Sequence, residues 1–112
     1  MFDFPEAIRG LKEADVPFEG CKAYMVQGEG EQVLFMSFER DVELPVHAHE
    51  AQWGIVLSGR IDLTIGDRSA TYAKGDNYYI PKGVSHGGRI HAGYADMTYF
   101  DQKDRYRFRM GS

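Results

Sequence analysis

Only one cysteine, Cys21, occurs in the chain, so no internal disulfide can form and packing alone must hold the fold. That scarcity fits a cytoplasmic location, which is the expectation here. Long apolar runs are also missing, which excludes a membrane-spanning helix. The N-terminal stretch Met1-Phe2-Asp3-Phe4-Pro5-Glu6 is acidic and has no hydrophobic core of the signal-peptide kind. Lysine and arginine are scattered rather than clustered, and the net charge is −4, so neither nucleic acid nor an anionic membrane is an expected partner. There is no internal repeat and no low-complexity segment.

What is present suits one small domain. The 112 residues include seven Phe and seven Tyr, and 43% of the chain is hydrophobic, enough for one core and against disorder. Residues 1–20 read as an N-terminal arm, with a short helix or extended segment over 4–14, where Pro5 suits a first helical position. Val16-Pro17-Phe18-Glu19-Gly20 closes the arm. Residues 21–110 read as a single all-β domain. Strands are expected at 21–27 and 32–38, joined by Gly28-Glu29-Gly30-Glu31, and at 44–49, 52–57, 60–65, 69–73, 77–81, 84–91 and 94–100. Many short strands at near-regular spacing imply a sandwich, barrel or jelly roll. Arg105-Tyr106-Arg107-Phe108-Arg109-Met110 alternates basic and apolar residues. It reads as an edge strand with its arginines in solvent, or as a strand added to a partner's sheet.

Three of the four histidines concentrate in two segments, His47-Ala48-His49-Glu50-Ala51-Gln52 and Gly75 through His86. On a strand, His47 and His49 share a face across Ala48. Gln52 opens the returning strand and can address the same cavity. His86, on a later strand, can approach from across a barrel. Three imidazoles and an oxygen donor suit a borderline divalent metal such as nickel, zinc, iron, manganese or copper. Strand parity adds Gly54 to the face of Gln52 and Gly88 to that of His86, where a missing side chain leaves room for a ligand.

These segments resemble the paired signature of the cupin superfamily, written G-x5-H-x-H-x3,4-E-x6-G and G-x5-P-x-G-x2-H-x3-N. Gly75, Pro81, Gly83 and His86 match the second motif at every spacing; His47 and His49 match the first, and Gly59 closes it with the loop between His49 and Gln52 one residue shorter than the common pattern. Asp41 stands where the first motif begins with Gly, Gln52 stands where it has Glu, and Ile90 replaces the final Asn of the second. The resemblance implies a double-stranded β-helix or jelly-roll barrel, commonly a homodimer, with a divalent metal on His47, His49, Gln52 and His86. A Gln carbonyl is a weaker, neutral donor, so the centre would be less negative than with Glu and would favour anionic ligands.

Other residues carry weaker signals. One of Tyr78 and Tyr79 must face the interior, where its hydroxyl can orient substrate or donate a proton. Glu50 is the one carboxylate expected near the ligands, although it follows His49 directly and faces away on a regular strand. His91 reads as a surface histidine, with proton transfer as the alternative. Arg60, Lys82 and Arg89 read as solvated rim charges that can anchor a carboxylate, and Cys21 as an inert core-side thiol.

Two functions follow. The first is a metal-dependent enzyme for a small carboxylate-, carbonyl- or sugar-like substrate, of lyase, isomerase or dioxygenase type. The alternative is a non-catalytic module that binds a sugar or organic acid. The sequence leaves open whether the protein is an enzyme at all.

Overall fold

A computed structural model describes residues 2–111. Eleven strands follow one helical turn, α1 (Glu6–Arg9). They are β1 (Ala14–Asp15), β2 (Cys21–Gln27), β3 (Gln32–Phe38), β4 (Val42–His47), β5 (Gln52–Ser58), β6 (Arg60–Ile65), β7 (Arg68–Ala73), β8 (Asn77–Ile80), β9 (His86–Ile90), β10 (Ala95–Phe100) and β11 (Arg107–Phe108). A five-stranded sheet runs β2-β3-β10-β5-β8 and a four-stranded sheet runs β4-β9-β6-β7. All strand pairs are antiparallel, and β10 and β9 each return between two earlier strands. This is the jelly-roll barrel that the strand spacing implied.

Alternation along the strands builds the core. On β2 and β3, Ala23, Met25, Leu34 and Met36 point inward; on β6 and β8, Ile61, Leu63, Tyr78 and Ile80 do so. The outer face of the large sheet keeps Val26, Tyr79 and Tyr99 exposed. The arm lies on that sheet: Phe4 is buried, with its ring edge-on to Tyr24 and Phe35 at 6.0 Å each. The helix is a single turn, and Pro5 is its N-cap rather than its first residue.

Three expectations shift. Strand β4 ends at His47, because its pairing with β9 slips between Leu44 and His47, around Pro45, which has no N–H to donate. His49 therefore sits beyond the strand. Of the basic-apolar alternation near the C-terminus, only Arg107–Phe108 is strand, and it pairs with β1 of the same chain. Arg107 and Arg109 are exposed as expected, but Arg105 is not part of the strand and is half-buried. Cys21 is partly buried; burial, reinforced by the nearby Asp96 charge, pushes its thiol up to about 12, so it is inert.

Candidate metal centre

The bulge at the end of β4 brings the three histidines together. His47 is the cross-strand partner of His86, and their ring centroids are 4.2 Å apart. His49 reaches in from the following loop, 4.6 Å from the ring of His86 and 5.3 Å from that of His47. The edge of Phe100 on β10 backs His49 at 5.6 Å. One nitrogen from each imidazole falls within 4.8 Å of the others.

The backbone determines which nitrogen that is. Nδ1 of His47 donates to Pro45 O at 2.7 Å, Nδ1 of His49 to Glu50 O at 2.6 Å, and Nδ1 of His86 to Val84 O at 2.9 Å. With each Nδ1 holding the proton, each Nε2 carries a lone pair. Two of those lone pairs, on His49 and His86, face each other at 3.0 Å, an arrangement that a shared cation resolves. Burial, followed by the Arg105 charge and the neighbouring imidazoles, pushes His49 down to about 4, against the Glu50 carbonyl. Burial lowers His86 as well, with the His47 and Arg105 charges in the same direction and the Val84 carbonyl opposing. Imidazoles whose Nδ1 atoms are held by backbone carbonyls and whose Nε2 atoms converge fit a borderline divalent ion.

The histidines stand at the mouth of a cavity of about 520 Å³ that Gln52 also lines. Tyr78 is the inward tyrosine. Its ring lies across Gly54, where an added methyl would come within 2.5 Å of the phenol carbon. The room left by Gly54 is thus filled by Tyr78 rather than by a ligand. Gly88 likewise serves packing, since a methyl there would meet the carbonyl oxygen of Asp62 on β6. The Tyr78 hydroxyl is in side-chain hydrogen-bonding range of Gln52 and Tyr94, and burial, reinforced by the Asp96 charge, raises its pKa.

Other candidates lie elsewhere. Tyr79 is 59% exposed on the outer face. The Glu50 carboxylate turns to Lys82 at 3.4 Å and does not line the cavity; its contribution is the backbone carbonyl that holds His49. Arg89 is bound by Asp41 and Glu43 on the outside of the small sheet. Arg60, Lys82 and Arg89 are all absent from the cavity wall. His91 pairs with Asp62 at 2.7 Å, a surface contact well apart from the imidazole cluster.

Two residues that do line the cavity escaped the sequence reading. Arg105 lies at the mouth, stacked on the Tyr106 ring at 4.6 Å and 5.9 Å from that of Phe100. The buried Gln32 amide holds this segment, donating to Tyr106 O at 2.7 Å and accepting from Tyr106 N at 3.0 Å. The second is Asp96 on β10, fully enclosed, whose Oδ2 accepts from the Tyr94 hydroxyl at 2.7 Å. Burial pushes its carboxyl up to about 7, although the Tyr94 and Tyr78 hydroxyls oppose the shift. It is a carboxylate deep in the cavity, four residues along β10 from Phe100 beside the histidines, whereas the sequence points only to carboxylates near the ligands.

A family model described as a cupin domain matches residues 34–103. The chain is a cupin. Its fold resembles an RmlC-like cupin from Shewanella frigidimarina, with a TM-score of 0.73 and 24% identity over 93% of this chain and 91% of that one. KdgF from Halomonas sp. shows a TM-score of 0.69 at 17% identity, over 81% of this cupin and 87% of that chain. A variant of Bacillus subtilis oxalate decarboxylase gives 0.69 at 23% identity, where this cupin's 87% corresponds to only 29% of the longer chain. No curated protein sequence matches. These likenesses establish the barrel. No helix among the described residues of this cupin is long and apolar enough to cross a membrane.

Proposed function

We propose that this cupin binds one divalent metal ion and acts on a small organic acid, in lyase, isomerase or dioxygenase chemistry. Three imidazoles converging at the mouth of one cavity support this reading above all else. His47, His49 and His86 would hold the ion. Gln52, which lines the same cavity, would add a neutral oxygen. A bound ion of this kind supplies Lewis acidity toward a carbonyl, carboxylate or hydroxyl oxygen.

The protein's own groups then define the substrate's pose. Arg105 places a fixed cation beside the imidazoles, so an anionic group is drawn to the mouth. Phe100, Ile80 and Leu63 form apolar walls that exclude water from the remainder of the ligand. Asp96 is the enclosed group able to hold or release a proton, while burial keeps the Tyr78 hydroxyl protonated as a hydrogen-bond donor.

A binding module that does no chemistry is the second reading, because pose and charge alone also make a receptor for an organic acid. Oxygen uptake by iron-loaded protein with diketones, and conversion of hydroxy and uronic acids followed by NMR, separate the readings. Turnover of any of them supports the enzyme. Saturable binding of an acid without turnover supports the module, and failure of every acid to bind removes both.

A further inference from the structure

Among the described residues, four buried side-chain polar atoms have no hydrogen-bond partner: Asp96 Oδ1, Thr98 Oγ1, Gln102 Oε1 and Arg105 Nε. All four residues line the one cavity that holds the histidines. Buried polar groups are almost always satisfied, and each one left alone is costly. Their concentration here marks the wall as built for a polar ligand. They also fall into two groups. Gln102 and Arg105 belong to the segment over the mouth, whereas Asp96 and Thr98 project from β10, 4% and 1% exposed.

The register measures how far apart these groups lie. Phe100, beside His49, is opposite Gln52; Thr98 is opposite Gly54; Asp96 is opposite Val56. At ~3.4 Å per residue, Thr98 lies ~7 Å and Asp96 ~14 Å along the strand from the level of the histidines. A two-carbon diacid held at the mouth cannot touch both ends. A chain or ring of five or six carbons can.

We propose that Asp96 and Thr98 form a hydroxyl-binding floor, and that the ligand is a hydroxylated monocarboxylic acid about five or six carbons long, its carboxylate at Arg105 and a distal hydroxyl at the floor. This rests on reading the cavity as an organic-acid site. A hydroxyl satisfies both floor atoms, donating to Asp96 Oδ1 while accepting from Thr98 Oγ1. Tyr94 fixes the other carboxylate oxygen, so Oδ1 is directed rather than free to rotate away. An apolar floor of the same shape would instead prefer the acid without a hydroxyl.

Calorimetric titration of zinc-loaded protein with 6-hydroxyhexanoate and hexanoate, matched in charge and length, tests this without any turnover. The hydroxy acid is expected to bind about tenfold more tightly. That advantage should fall below about twofold in Thr98→Val and Asp96→Asn, while hexanoate affinity stays within about twofold of the parent. Should Asp96→Asn fail to fold, Thr98→Val decides. Equal binding of the two acids by the parent, or an advantage that survives Thr98→Val, overturns the floor while leaving the organic-acid site in place, because hexanoate still binds. If neither acid binds, both the floor and the organic-acid site fail.

Discussion

The mouth and the floor of this cavity are built on opposite principles. At the mouth, each imidazole spends its proton on a backbone carbonyl and turns a lone pair to a common point. At the floor, a carboxyl is enclosed with tyrosine hydroxyls and has no cation beside it; Tyr78, Tyr94, Tyr106 and Cys21 are the titratable groups whose charges couple to Asp96. The mouth is thus prepared for a cation by hydrogen bonds that cost little, since each imidazole Nδ1 finds a backbone acceptor. The floor keeps a group that burial disfavours when charged, and such a group persists in a fold when something else requires it.

The largest effect that tests this contrast is on stability. Folding raises the Asp96 carboxyl from 3.8 to about 7, so the folded chain holds a proton that the unfolded chain has released. The favourable contribution of the protonated form is fully present below the ordinary value and is lost as pH rises through about 7. Asp96→Asn removes that dependence, so its effect on stability should be about 4 kcal/mol more favourable at pH 8 than at pH 4. Denaturant melts at the two pH values check this; an equal change at both would show that the floor carries no raised carboxyl.

Gly54→Ala tests the connection between the two ends. Its methyl would lie 2.5 Å from the Tyr78 ring, and the crowding should cost about 2 kcal/mol, read as a shift in the denaturant midpoint. Displacing Tyr78 also removes the partner of Gln52, so metal affinity should weaken in the same variant.

Arg105→Ala bears on the mouth alone. It should lower affinity for hexanoate about tenfold in calorimetry and leave metal content unchanged. The smallest effect belongs to His91→Ala, below about 1 kcal/mol in a denaturant melt, since its pair with Asp62 is a surface contact.

The mouth was legible in the sequence because its chemistry is local. His47, His49 and Gln52 lie within six residues, and the turn glycines around His86 fix its distance from them. Even so, the reason that His49 joins the cluster is a slipped register at Pro45, not the strand parity that first suggested it. The strand order and barrel were legible too, because inward and outward residues alternate and Gly-rich turns punctuate them. Asp96 was hidden for a different reason. Parity places it on one face with Thr98 and Phe100, but which face turns inward depends on β10 lying between β3 and β5, a pairing of distant segments. Arg105 was masked by its own surroundings: its alternation with Tyr106 and Phe108 reads as a solvent-facing strand, and only the clamp from Gln32 turns it over the cavity. The glycines misled in a similar way, because space seen from one strand is filled by Tyr78 or by the backbone of β6.

The central claim, that three imidazoles at the mouth form a metal centre, is tested most directly by counting metal in protein purified without a polyhistidine tag. Elemental analysis should find about one divalent ion per chain in the parent and in His91→Ala, and almost none in His47→Ala or His86→Ala. No stoichiometric metal after reconstitution of the parent, or full retention by His47→Ala and His86→Ala, would contradict the account.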